Sequence, residues 1–294
     1  MSGCYIVQTQ KRQDLHRTAR ELSSHIACTG EKVNHYALSG QTLMGMASPD
    51  NLSKGIMPVY LPETGLWGML MGGLYESDYL SAWRAKNPGI THDMEVFALL
   101  YRSEALADAL PQLNGAFFLI LWDPESKTLV AANDRYGLYP MYWASSGAGF
   151  CLASRMMCPV LSGTAAPSWD LAGVAQFLTT DDYIGETTLI RGVSAFPQAS
   201  LLIKTGGRLK WHRYWHYEYT PETDGISEQE LAEDLGERFL TAVRRQGAGA
   251  SRLGITLSGG LDSRLILAAA HKAHLPVKTF TWGNADSYDR VFAG

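Results

Sequence analysis

The chain has 294 residues, 46% hydrophobic and 18% charged, the profile of a globular protein with apolar material for one large or two moderate cores. Its formal net charge of -4, with no basic run, excludes the electrostatic footprint of a nucleic-acid or anionic-membrane binder. The longest apolar stretch, Gly115 to Trp122, closes at Asp123 far short of a bilayer span, and the N-terminus has no hydrophobic signal core, so a cytoplasmic location without membrane contact is expected.

In chain order, Gly65 to Tyr75 is the first clear strand, a Leu, Met and aromatic run punctuated by glycine. Asp93 to Leu113 carries Val96, Leu99, Leu100 and Leu106 at helical spacing. Gly115 to Asp123, Thr128 to Asn133 and Ser200 to Lys204 read as further strands, and Trp169 to Leu178 as a helix with Asp170 near its start. The polar stretch Tyr217 to Gly225, with Pro221, Thr223 and Asp224, has no apolar periodicity and reads as a linker. These boundaries predict domains at 1–216 and 227–294, joined by 217–226.

After the linker, Ser227 and Glu230 form a capping-box pattern, and Leu231, Leu235, Phe239 and Val243 follow on one helical stripe. Arg252 to Leu257 is then a short strand, Ser258 to Ser263 a turn, Arg264 to Ala273 a helix and Val277 to Trp282 a strand, which makes a βαβ unit with parallel strands. The four cysteines, Cys4, Cys28, Cys151 and Cys158, show neither zinc-type spacing nor disulfide density, so reduced structural thiols are expected.

The segment with the most chemistry is Leu257-Ser258-Gly259-Gly260-Leu261-Asp262-Ser263. A loop that leaves a strand and opens a helix converges its backbone N–H groups and the helix dipole on one anion site. Gly259 and Gly260 allow close approach of phosphate oxygens, the hydroxyls of Ser258 and Ser263 add donors, and Asp262 suits a magnesium ion. The bland reading of a Gly-Gly here is a tight turn. No GxxxxGK[ST] lysine is present, so the ordinary P-loop is excluded. The complete hexapeptide resembles the pyrophosphate-binding loop of the N-type ATP pyrophosphatases, and Phe280-Thr281-Trp282-Gly283 followed by Asp289 resembles that family's next strand, which brings Trp282 to the adenine.

Upstream, Leu113-Asn114-Gly115-Ala116-Phe117-Phe118, Asn133-Asp134-Arg135-Tyr136-Gly137 and Pro140-Met141-Tyr142, then Thr188 to Val193 and Tyr214-Trp215, resemble in order the glutaminase domain of class II amidotransferases. Taken singly these segments read as core strands and a Gly/Pro turn. With the loop, they make the chain resemble glutamine-hydrolysing asparagine synthetase and its relatives over nearly its whole length. The resemblance implies a four-layer αββα N-terminal-nucleophile-type sandwich, followed by the beginning of a doubly wound parallel-sheet ATP-pyrophosphatase domain. It also implies ATP and magnesium, a small carboxylate such as aspartate, an amine or ammonia donor, amide formation through an acyl-adenylate, and a homodimer as one assembly.

The family's nucleophilic cysteine falls at Ser2, a far weaker nucleophile, while Cys4 would require a different cut. The family's Asn-Gly oxyanion pair falls on Met71-Gly72, which keeps the glycine and loses the amide; Asp93 matches the aspartate that holds the α-amino group of glutamine. For Asp93 a helix N-cap is the competing reading. The Arg-Gly-Pro-Asp segment of the family is missing from the sequence. A glutaminase fold with little or no glutaminase activity is therefore expected, and because the family's synthetase domain runs on for a few hundred residues, a truncated chain. Related enzymes that close cyclic amides, β-lactam synthetases and lasso-peptide cyclases, supply an alternative in which the amine lies in the substrate. A serine amidase and a non-catalytic nucleotide-binding fragment are the readings from other classes.

Overall fold

The computed structural model describes residues 3–9, 15–28, 31–49, 58–219, 225–284 and 286–293. It divides into two units, Met1–Tyr217 and Glu218–Gly294. The first begins with β1 (Cys4–Thr9), α1 (Leu15–Ile26), β2 (Glu31–Ser39), β3 (Thr42–Pro49), β4 (Val59–Leu61) and β5 (Leu66–Leu74). Next come α2 (Asp78–Lys86), α3 (Asp93–Arg102), α4 (Leu106–Ala109), a 3-10 turn at Leu110–Gln112, β6 (Gly115–Asp123) and β7 (Thr128–Asn133). The unit closes with β8 (Tyr142–Ser146), β9 (Gly149–Ala153), α5 (Cys158–Leu161), α6 (Leu171–Thr180), β10 (Ser194–Ala195), β11 (Ser200–Thr205) and β12 (Arg208–Arg213).

Two six-stranded sheets result, in the orders β10-β8-β9-β1-β3-β2 and β12-β11-β7-β6-β5-β4. All their pairings are antiparallel. Because side chains alternate along a strand, each sheet supplies two apolar faces. Cys4 and Ile6 of β1 pack inward against Met69, Met71, Phe118 and Ile120 of the other sheet. Tyr5 and Val7 face outward onto Ala19, Leu22 and Ile26 of α1 and Cys158 of α5. On the far side, Phe117, Leu119 and Leu121 of β6 meet Val96, Phe97 and Leu100 of α3. Three apolar layers thus separate helix, sheet, sheet and helix, and burial on both faces explains the continuous apolar run in β6.

The expected helix from Asp93 to Leu113 is broken after Arg102. Glu104 takes φ 60, and Ala105 N donates to Leu100 O at 2.9 Å, so the chain leaves α3 through a left-handed residue and re-enters at Leu106. Farther on, Asp170 caps α6, its Oδ1 accepting from Ala172 N at 3.0 Å and Gly173 N at 3.1 Å; the helix therefore starts at Leu171, two residues later than the apolar pattern suggests.

The second unit contains α7 (Glu228–Gly247), β13 (Leu253–Thr256), α8 (Leu261–Lys272), β14 (Val277–Phe280) and α9 (Tyr288–Ala293). Ser227 caps α7: its Oγ accepts from Glu230 N at 3.2 Å, and Glu230 Oε2 accepts from Ser227 N at 2.9 Å. Strands β13 and β14 pair in parallel, Leu253 opposite Val277 and Thr256 opposite Phe280. Helix α8 begins at Leu261 and not at Arg264, because Gly260 in extended conformation is its N-cap. The stripe on α7 is amphipathic as its spacing predicts, yet Leu231, Leu235 and Phe239 stay exposed at 40%, 68% and 36%.

Candidate active sites

In the first unit the interest lies where β1 starts and β5 ends. Ser2 lies outside the described residues. Its neighbour Gly3 is held in place by Gly3 O accepting from Ala47 N at 2.8 Å, and Cys4 N donates to Ser154 Oγ at 2.9 Å. Gly72 has φ +75, and a Cβ there would run into the Ala116 carbonyl and the Tyr139 ring, so only glycine fits. Asp93 approaches the same turn: its Oδ2 accepts from Leu74 N at 2.8 Å, and its Oδ1 pairs with Arg84 Nη2 at 2.8 Å. Asp93 is the first residue of α3 and His92 is the N-cap, so the simple capping reading of Asp93 is corrected. Half the acceptor sites of the carboxylate remain for a ligand amine. Arg84, which also pairs with Glu76 at 3.0 Å, belongs to no motif and was invisible in the sequence.

Between the sheets at this end, sulfur fills the space. Cys4 Sγ lies 3.2 Å from Met71 Sδ and 3.9 Å from Met141 Sδ, and all three residues are buried. Burial, reinforced by the nearby Cys158 thiol, pushes the Cys4 thiol up to about 12. A thiol so placed is protonated at neutral pH and inert, which removes Cys4 as a candidate nucleophile. Met71, which the resemblance set against the family's oxyanion asparagine, is part of that apolar packing and offers no side-chain donor.

The second unit holds the loop. Ser258 Oγ and Ser263 Oγ are 3.0 Å apart, Ser258 N donates to Ser263 Oγ at 3.1 Å, and Gly260 N donates to Ser258 Oγ at 3.2 Å. Gly259 N donates to Asp289 Oδ1 at 3.1 Å, so a carboxylate already sits on one cradle amide. Thr281 Oγ1 donates to Leu257 O at 2.8 Å and fixes the end of β14 beside the loop. Leu257, Ser258, Asp262, Ser263, Trp282 and Asp289 all line a cavity of about 500 Å3. Asp262 and Ser263 stand in the first turn of the twelve-residue α8.

The donor set suits an anion. Three amides, two hydroxyls and a helix N-terminus come together, the amides of Ser258 and Gly260 on the loop's own hydroxyls and that of Gly259 on the Asp289 carboxylate, and a Cβ at Gly260 would come within 3.2 Å of Ser258 Oγ. The Asp289 contact, spanning 30 residues, is the feature of this loop that the motif alone did not reveal.

Two stacked antiparallel sheets between outer helices make the first unit, and a strand–loop–helix–strand segment with parallel strands lies in the second. Residues 1–215 match the family described as glutamine amidotransferase domain, and the chain belongs to that family, in its class II form. Residues 234–293 match the asparagine synthase family. Amidase chry2 of Gibberella zeae is 27% identical over 86% of this chain and 37% of its own length. Asparagine synthetase [glutamine-hydrolyzing] 3 of Bacillus subtilis is 29% identical over 69% of this chain and 34% of its own. The chain spans about a third of the length of these relatives. Glutamine phosphoribosylpyrophosphate amidotransferase from B. subtilis shares the fold with a TM-score of 0.50 at 13% identity, over 94% of this chain and 65% of that one. Among the described residues no helix is long and apolar enough to cross a membrane.

Proposed function

We propose that the chain is part of an asparagine-synthetase-like ligase that uses ATP to form an amide, with an amidotransferase domain at 1–216, a linker at 217–226 and the start of a doubly wound ATP-pyrophosphatase domain at 227–294. ATP would supply AMP as the leaving group of an activated carboxylate. In this reading Leu257, Ser258, Gly259, Gly260 and Ser263 hold the phosphates, Asp262 holds magnesium against them, and Trp282 flanks the adenine. The observation that carries it is the cluster of amides and hydroxyls at the N-terminus of α8, inside a cavity that also contains Asp262.

The glutaminase centre is, in the same proposal, disabled. Asp93 and Gly72 would serve the substrate side, whereas the buried Met71 side chain would supply no oxyanion donor and Cys4 is packed in the core. Loss of one such donor costs about 3 kcal/mol of transition-state stabilisation. This packing favours a second reading for the nitrogen source, an amine carried by the substrate, as in enzymes that close cyclic amides. ATP–pyrophosphate exchange measured with aspartate and with amine-bearing carboxylates tests both: exchange supports the ligase, its dependence on one carboxylate identifies the acceptor, and no exchange with any of them refutes it.

A further inference from the structure

At the end of the sandwich away from Asp93 and Gly72, the two sheets part around a cavity of about 460 Å3. Strand β1 runs from one end to the other: Cys4 lies in the sulfur-filled end and Gln8 and Thr9 line the cavity, about 16 Å along the strand. The other walls come from the β2–β3, β6–β7, β8–β9 and β11–β12 turns.

The charge of this cavity is one-sided. Among its described lining residues Lys127 and Lys204 are the charged ones, and no carboxylate joins them. Lys204 Nζ donates to Gly206 O at 2.8 Å and sits 5.5 Å from the centroid of Phe150, which leaves two ammonium donors available. Burial lowers its pKa, as expected for an ammonium desolvated without a counter-anion. Asp123, at the end of β6, is committed elsewhere: it pairs with Arg102 Nη1 at 2.7 Å and accepts from the Glu125 amide at 3.0 Å.

The rest of the wall is mixed: Leu38, Trp122, Pro124 and Phe150 form an apolar, aromatic patch, and Gln8, Gln41, Thr42, Ser145 and Ser146 add neutral amides and hydroxyls. Trp122 is 4% exposed, and its indole N–H has no hydrogen-bond partner among the described residues. Two cations, an unpaired indole donor and an apolar patch among neutral amides and hydroxyls do not suit a cation. They suit a ligand with one anionic head and a hydrophobic body.

We propose that this cavity binds a small organic carboxylate, its head group held by Lys204 and Lys127 and its apolar body packed against Trp122 and Phe150. The site is separate from the Asp93 end of the same unit and does not depend on the ligase reading of the loop.

Benzoate and inorganic phosphate serve as probes, titrated into the whole chain by calorimetry with saturation-transfer NMR. Saturable benzoate binding, tighter than phosphate, is expected. Lys204→Met should weaken it about tenfold or more, the usual effect of losing a charged hydrogen-bond donor, while Lys204→Arg keeps it within about threefold. Lys127→Met should produce a smaller loss. Thermal melting checks that each variant folds, and the Arg and Lys127 variants decide the matter if Lys204→Met does not. Absence of benzoate binding, affinity unchanged in Lys204→Met and Lys127→Met, or tighter binding of phosphate would overturn the proposal.

Discussion

Returning an amide to position 71 should damage the fold before it repairs an oxyanion site. The Met71 side chain is 6% exposed and packs with Cys4, Met141, Met69 and Phe118 between the sheets. Met71→Asn forfeits most of a buried methionine, about 1.5–3 kcal/mol. It also places a primary amide among sulfur and hydrocarbon, where an unmade hydrogen bond costs about 1–3 kcal/mol more. The expected loss is about 2.5–6 kcal/mol, a large part of the roughly 5–15 kcal/mol that holds a domain together. Urea unfolding followed by tryptophan fluorescence would show it as a lowered midpoint. Met71→Leu, which keeps volume and apolarity, should lose less than about 1.5 kcal/mol. A Met71→Asn variant as stable as wild type, or a Ser2→Cys/Met71→Asn variant that hydrolyses glutamine, would refute the reasoning, because position 71 would then face an open site.

Ser2→Cys alone should release no glutamate from glutamine, since the oxyanion donor is still missing; wild-type hydrolysis near a typical enzyme rate of about ten per second would contradict this. Asp289→Asn removes a negative charge from the Gly259 amide, and each neighbouring phosphate charge at about 4 Å through water is worth about 1 kcal/mol, so magnesium-free ATP should bind about fivefold tighter. Calorimetry in chelator reads this directly, and equal or weaker binding would place Asp289 outside the anion position. Burial would raise the Asp123 pKa, but Arg102 and the turn amides overcome it and hold it below the usual range. A depressed folded pKa stabilises above the unfolded value of about 3.9 and is lost as pH falls through the folded one. Asp123→Asn should therefore cost about 2 kcal/mol at neutral pH, after discounting the partly exposed Arg102, with the gap to wild type closing below about pH 4. A gap independent of pH would assign the loss to packing.

The sequence was most legible where both ends of an element carry punctuation. Asn114-Gly115 and Pro124 bracket β6, which spans Gly115–Asp123 as read, and β7 likewise spans Thr128–Asn133. The capping box at Ser227 and Glu230 marked α7 because that signal is local. The break after Arg102 had no such mark: the left-handed position is filled by Glu104, not by Gly or Asn. The first sheet was harder still, since β1, β3 and β9 are short mixed runs that become strands through pairings as distant as Tyr5 with Ala153. Site residues followed the same rule. The Leu257–Ser263 loop carried a local pattern and Gly72 and Asp93 were named through the family resemblance, whereas Arg84 on Asp93, Met141 on Cys4 and Asp289 on Gly259 exist only once the chain is folded.

The central claim is that Ser258 to Ser263 cradles the phosphates of ATP. Titrating ATP calorimetrically into wild type, Gly260→Val and Asp262→Asn, each with and without magnesium, tests it most directly. The branched side chain introduced by Gly260→Val would displace the Ser258 hydroxyl that receives the Gly260 amide, so that variant should lose binding in both conditions. Asp262→Asn should keep weak metal-independent binding and lose the magnesium-dependent gain, because the amides and hydroxyls stay in place. If both variants bind ATP as wild type does, the segment is only a turn and the ligase account fails.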